Sequence, residues 1–302
     1  MNQKTIKKIR SLMKRHGTNQ AHVFDLDGTI VNANILTLIV RSLIYELYPT
    51  PSERLAFVKS LTRDAPNSVI KNGTIIWDYT CIDSADAVHL IESDLLIDRP
   101  VIEVCNHLSS LRMGIMQRTY RFPLAVIDAL HKRKPRPLII CITGTPQEIA
   151  ENIYKKLGFD VVVGCEYPKK NGRYIQGVKM LDSGLNKGKI MDQLQAHCAI
   201  VWTNCIAFGD NKYDVDMFDR STFPVAMNPK TNLQNIVRTK INPRWKAQRI
   251  AWADQRIGES ANECRIWVAN ADHKLQEVSF NDILPNDIAI ALEQHPQGET
   301  NQ

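Results

Sequence analysis

No CxxC pair occurs among the 302 residues, and the seven cysteines are scattered and odd in number, several of them inside apolar runs. That usage argues against a disulfide framework or a zinc site and for reduced, buried thiols in a cytoplasmic compartment. No apolar stretch approaches the roughly 20 residues that a membrane-spanning helix needs. Met1 leads straight into lysines with no apolar segment, so no secretory signal is visible. Charge of one sign is in only mild excess. A net charge of +6 helps attract small anions but falls short of a nucleic-acid-binding signature, and no nucleic acid is expected as a partner. What remains is an ordinary globular composition in a chain long enough for one large or two modest domains.

The stretch Asp25-Leu26-Asp27-Gly28-Thr29 follows the apolar run Val23-Phe24, so Asp25 should stand where a buried strand ends and a turn begins. In open α/β sheets that edge binds ligands. Two carboxylates at i and i+2 can divide labour, one attacking phosphorus while the other serves as acid and then base. Gly28 permits a sharp turn and Thr29 offers a hydroxyl. Taken alone, the stretch fits an ordinary Asp-Gly turn or a metal-binding loop as well. Three later stretches supply what such a site still needs. Leu138 to Ile142 is a buried strand ending in Thr143-Gly144, Lys187 lies in Asn186-Lys187-Gly188-Lys189, and Ala207-Phe208 leads into Gly209-Asp210-Asn211-Lys212-Tyr213-Asp214.

In that order and at those strand ends, the four stretches resemble the motifs of the haloacid dehalogenase (HAD) superfamily, in its phosphoserine-phosphatase-like branch. The resemblance implies an α/β fold: a Rossmann-like parallel-sheet core over 21–31 and 138–240, with a mostly helical cap, 32–137, that selects the substrate. It implies a Mg2+-dependent phosphatase acting on a small phosphomonoester. Asp25 would be the nucleophile and Asp27 the acid and base. Gly28, Thr29, Thr143, the Gly144 amide and Lys187 would hold the phosphate, Lys189 being the fallback for the lysine. Asp25, the Asp27 carbonyl and Asp210 would bind Mg2+, with Asp214 holding a water or orienting Lys187. Phosphoserine phosphatases carry a Glu nine positions after the nucleophile to meet the substrate's ammonium group. Asn34 stands there in this chain and cannot supply that charge, which speaks against phosphoserine. A phosphotransferase or mutase would use the same residues, and a non-catalytic phosphate-binding regulator is a third reading, against which the intact Asp27 argues.

The rest of the chain is read more coarsely. Residues 1–20 begin with a basic amphipathic helix ending at Gly17, whose thin apolar face is expected to pack on the core, with a membrane surface or RNA as weaker alternatives. Helices are expected over 35–48, 54–61, 85–96 and 117–130, and the runs 69–70 and 74–77 stay ambiguous between helix and strand. Thr145-Pro146-Gln147-Glu148 has the pattern of a capping box opening a helix that stops at Gly158. Lys170-Asn171-Gly172-Arg173 reads as a hairpin on the core's edge. Phe223 to Met227 is expected to be the last strand. Residues 241–302 are assigned to core packing or a homodimer contact, with 295–302 a disordered tail.

Overall fold

Apolar runs without polar alternation demand cover on both faces, and the sheet meets that demand with helices on either side. The computed structural model describes residues 3–53, 56, 70–71, 74–75, 96, 99–175, 186–242, 244 and 249–294. They divide into two units, Met1–Asn34 with Met113–Glu166 and Met180–Gln302, and Ile35–Arg112 with Tyr167–Lys179. The expected helices over 54–61 and 85–96 and the tail 295–302 lie almost wholly outside the described residues. Among the described residues no helix is long and apolar enough to cross a membrane.

In chain order the strands are β1 (Ala21–Phe24), β2 (Ile70–Lys71), β3 (Thr74–Ile75), β4 (Leu138–Pro146), β5 (Val161–Cys165), β6 (Lys169–Lys170), β7 (Arg173–Tyr174), β8 (Ile206–Gly209), β9 (Phe223–Met227), β10 (Ala251–Asp254), β11 (Arg265–Ala269) and β12 (Leu275–Glu277). The first unit holds an eight-stranded sheet in the order β12-β11-β10-β9-β8-β1-β4-β5. It is parallel from β5 to β10, and β11 and β12 are added antiparallel. The chain leaves β1 for β4 on one side and later returns to β8 on the other. β1 therefore sits at the topological switch point, where side chains at the strand's carboxyl end open into a crevice.

Alternation along β1 assigns its two faces. Ala21 and Val23 join a buried cluster with Ile190, Met191 and Leu194 of the Lys187–Cys198 helix and with Ile6 and Ile9 of the N-terminal Gln3–His16 helix. Phe24 lies in the opposite layer, its ring stacked on Phe208 at 5.1 Å. Phe122 meets Phe208 edge-on at 5.5 Å and stacks on Phe280 at 5.3 Å. Those ring contacts explain why the Arg121–Lys132 helix, expected within the cap, groups with the first unit.

Three other expectations are corrected. Phe223–Met227 is not the last strand, because β10 pairs with it in parallel and β11 and β12 follow. Residues 251–277 thereby extend the core sheet. The β6–β7 hairpin belongs to the second unit rather than to the core's edge. Its Tyr174 ring is buried against Tyr167, and its backbone pairs with Arg99 and Val101 at the start of the Val101–Met116 helix. The ambiguous runs near 70 and 75 form the small antiparallel pair β2–β3. The helix opening at Gln147 does run on, as a 3-10 turn, to Leu157 and stops at left-handed Gly158.

His22, on the same face as Phe24, is buried as a neutral imidazole. Its Nδ1 accepts a hydrogen bond from the Ile206 amide at 2.9 Å, and Nε2 has no partner among the described residues. Burial, helped by Arg133, pushes its pKa down to about 3 from an ordinary 6.5. Between those values the unfolded chain binds the extra proton, so stability falls as pH drops below 6.5. This group accounts for at most about 1.4 kcal/mol per pH unit. Denaturant midpoints measured across that range should show a shallower acid slope for His22→Gln than for the wild type; equal slopes would mean that His22 is not the buried proton acceptor.

Candidate active site

The carboxyl ends of β1, β4 and β8 bring together residues far apart in sequence. Asp25 follows β1 directly, its amide donating to Phe208 O at 2.8 Å, and the residue is 3% exposed. Lys187, at the first position of its helix, is equally buried and donates to Asp25 Oδ1 and Asp214 Oδ1, both at 2.5 Å. Lys189 is exposed, so Lys187 is the lysine that the fold turns inward. The Thr29 hydroxyl donates to the other oxygen of Asp25 at 3.0 Å. Asp214 is fixed from its far side by the amides of Asp210 and Asn211, at 2.9 and 3.0 Å.

Two glycines make these approaches sterically feasible. Gly28 has φ +83°, and a Cβ there would lie 2.0 Å from Asp210 Oδ2. A Cβ on Gly209 would lie 2.4 Å from the Asp214 carboxyl carbon. Both spacings are far inside van der Waals contact, so each position requires glycine on packing grounds.

Asp27 lives in a different environment. It is only half-buried, and its Oδ2 accepts from the hydroxyls of Thr143 at 3.1 Å and Thr145 at 2.5 Å. The Thr145 amide in turn donates to Thr143 Oγ1 at 3.1 Å. A bulge aims both threonines. Between the pairings Ile142↔Val163 and Pro146↔Cys165, β4 spends three residues where β5 spends one, and extra residues of this kind re-aim side chains beside functional sites. The expected capping box is therefore not formed. Pro146 occupies the cap position without a side-chain bond, and the hydroxyl assigned to it serves Asp27 instead. Gly144 lies within the bulge, and Asn34 stands just before the Ile35–Leu47 helix, at the end of the first unit's opening segment.

Two contributors escaped the sequence reading. Thr145 was hidden by its resemblance to a helix cap. Lys230 follows the Asn228-Pro229 turn after β9; its Nζ lies 2.7 Å from Asp210 Oδ2 and its amide donates to Asp210 O. The available signal was a lysine just beyond a strand end at the same sheet edge.

The electrostatics are unbalanced. Among the described residues, the carboxylates of Asp25, Asp27, Asp210 and Asp214 face two ammonium groups, Lys187 and Lys230. Burial raises Asp25 above the usual carboxylate range; Lys187 opposes the rise, while Asp214, Asp210 and Asp27 add to it. Burial raises Asp210 too, against the pull of Lys230. Burial pulls the Lys187 pKa down, but Asp214 and Asp25 outweigh it and hold the ammonium form. Oxygens of Asp25, Asp210 and Asp214 lie within 4.8 Å of one another. Crowded carboxylate oxygens with surplus negative charge are a donor set suited to a hard divalent cation.

A family model described as haloacid dehalogenase-like hydrolase matches residues 22–219. No curated protein matches the chain in sequence. Among solved structures, a protein of unknown function from Bordetella pertussis Tohama I is 16% identical, with a TM-score of 0.56 over 74% of this chain and 96% of that one. A HAD family hydrolase from Salmonella enterica subsp. enterica serovar Typhi is 15% identical, with a TM-score of 0.50 over 78% of this chain and 75% of its own. These two share the fold. A phosphoserine phosphatase in apo form is 19% identical over 72% of this chain and 90% of its own, at a TM-score of 0.48.

Removing the central ammonium should be costly. Lys187→Met leaves Asp25 and Asp214 buried without their shared partner, and the expected loss is about 3–5 kcal/mol of metal-free stability at neutral pH. Urea denaturation measures it, and a loss below about 1 kcal/mol, the level of an exposed pair, would show that Lys187 does not carry the charge balance.

Proposed function

The chain belongs to the haloacid dehalogenase-like hydrolases, and from that premise we propose that it is a Mg2+-dependent phosphatase acting on a small phosphomonoester through an aspartyl-phosphate. The observation that carries this reading is the unequal treatment of two carboxylates at one strand end. Asp25 receives a buried ammonium and a hydroxyl, which oppose the rise in its pKa caused by burial and the neighbouring carboxylates; a divalent cation bound beside it would hold it as the charged nucleophile. Asp27, by contrast, is half-buried, and its Oδ2 is held by two threonine hydroxyls. In this reading Asp25, fixed at the strand end by the ammonium, is the nucleophile, and the more exposed Asp27 is the acid and base.

Asp25 attacks phosphorus in line, and a new phosphorus–oxygen bond forms as the bond to the leaving oxygen breaks. Asp27 gives its proton to that oxygen. A water then attacks the aspartyl-phosphate, Asp27 takes the proton back, and release of inorganic phosphate restores the Asp25 carboxylate. Lys187 holds Asp25 in place and spreads the charge that builds on the phosphoryl oxygens, together with the Gly144 amide and the turn at Gly28-Thr29. Asp25, the Asp27 carbonyl and Asp210 would hold Mg2+, with Asp214 orienting Lys187; bound there, the ion supplies the positive charge that the carboxylates lack. The second unit is assigned to substrate choice, and Asn34 argues for a substrate without an ammonium group at that point.

Phosphate release from a panel of phosphomonoesters, covering amino-acid, choline, ethanolamine, sugar, nucleotide and aryl phosphates, tests this. Release should require both Mg2+ and Asp25 and vanish in Asp25→Asn, which should remain folded. Turnover without metal, or substantial turnover in Asp25→Asn, would remove the mechanism. Thr145→Val takes one donor from Asp27. It should lower kcat by about tenfold or more, as expected for one hydrogen bond to an ionised group, and shift the pH optimum upward, because the carboxylate form of Asp27 loses support. An unchanged pH profile would show that Thr145 has no part in holding the acid.

A further inference from the structure

The Gln3–His16 helix has no part in the chemistry above, yet its charge pattern is the most one-sided in the chain. It carries Lys4, Lys7, Lys8, Arg10, Lys14 and Arg15 and not one carboxylate. Neighbouring like charges at i+3 and i+4 weaken a helix, and an acid-free first turn forgoes a favourable interaction with the helix dipole. Lys14, Arg15 and His16 suit the last turn of the helix, but the lysines of its first two turns run against its stability and call for another account.

Packing fixes the direction in which these charges point. Ile6 and Ile9 are buried in the core cluster, and Leu12 and Met13 pack partly against it. Two of the cations act as staples: Lys8 donates to the Tyr154 hydroxyl at 2.7 Å, and Arg10 donates through Nε to His197 O at 2.9 Å. With the helix unable to roll, Lys4, Lys7, Lys14 and Arg15 stand exposed, and Lys4, Lys7 and Lys14 follow one line along it. Tyr154 is followed in the chain by exposed Lys155 and Lys156. Some surface cations of the first unit are matched with carboxylates, as in Arg133–Asp287, Arg220–Asp192, Lys240–Asp219 and Arg265–Glu277. Lys4, Lys7, Lys14 and Arg15 have no ion-pair partner among the described residues.

We propose that this outward face docks on an anionic lipid bilayer. A bilayer needs only a fixed array of positive charge on one side of the protein. Nucleic acid asks for more, aromatic platforms for unpaired bases or side chains that read a groove. This helix has no aromatic residue, and four of its six cations are lysines, point charges without the planar fork of arginine. Its apolar residues are committed to the core, so nothing on it inserts into the membrane. Docking is electrostatic, reversible by salt, and dependent on acidic headgroups. The helix ends at Gly17, before β1 begins, whereas Asp25 lies beyond the other end of that strand.

The test is sedimentation of the full chain with phosphatidylcholine vesicles, with and without phosphatidylserine, at low and high salt. Binding should appear only with phosphatidylserine, fall steeply with salt, and drop by about tenfold or more in the quadruple variant Lys4→Glu, Lys7→Glu, Lys14→Glu, Arg15→Glu. A denaturation midpoint for that variant, and the milder set of the same positions changed to Gln, separate lost docking from lost folding. Equal partition into neutral vesicles, no partition into either kind, or tighter binding to RNA than to the acidic vesicles would each overturn the proposal.

Discussion

One buried ammonium group holds the centre of this molecule together. Lys187 comes from the first turn of a helix, and its two partners come from the end of β1 and from the turn after β8. Three chain segments, separated by as many as 162 residues, are thereby tied at one atom. Like charges on buried Asp25 and Asp214 would otherwise repel each other where solvent screens them little. Attraction in such surroundings is strong, and so is the cost of taking the charges out of water. The arrangement suits a site that must hold a geometry more than one that must add stability.

Sequence patterning makes the centre of the fold legible because its demands are local. β1, β4 and β8 are short apolar runs that end in a small or acidic residue, and both features are read from a few neighbouring positions. The lysine is less plain. Lys187 and Lys189 are two residues apart on one turn, and only packing against Asp25 and Asp214 shows which of them is buried. Thr145 is harder still. Its place in a Thr-x-x-Glu pattern is a sound local signal for a cap, and a tertiary contact with Asp27 overrides it.

The end of the chain was unreadable for a different reason. β10 has four residues, with Ala251 and Ala253 buried and Trp252 and Asp254 more exposed. A strand so short, and half alanine, presents little β signal of its own; it becomes a strand because β9 offers an unpaired edge. The turn signal marks β6–β7 as a hairpin but does not place it, since such a signal tells how a segment folds back and not which neighbour it joins. Its placement follows from Tyr174, whose burial no local pattern announces.

The bulge in β4 has a consequence beyond aiming two threonines. It adds two residues relative to β5, and strand side chains alternate with a period of two. An even insertion leaves that alternation in step, so Ile142 before it and Pro146 after it fall on the same side of the strand. β4 ends at Pro146, the first residue beyond the bulge, so the run that carries the sheet's hydrophobic face, Leu138 to Ile142, lies wholly before it. A change of length in the bulge can therefore re-aim Thr143 and Thr145 and leave that face as it is. The tip of β4 is in this sense a reshapeable part mounted on a rigid one.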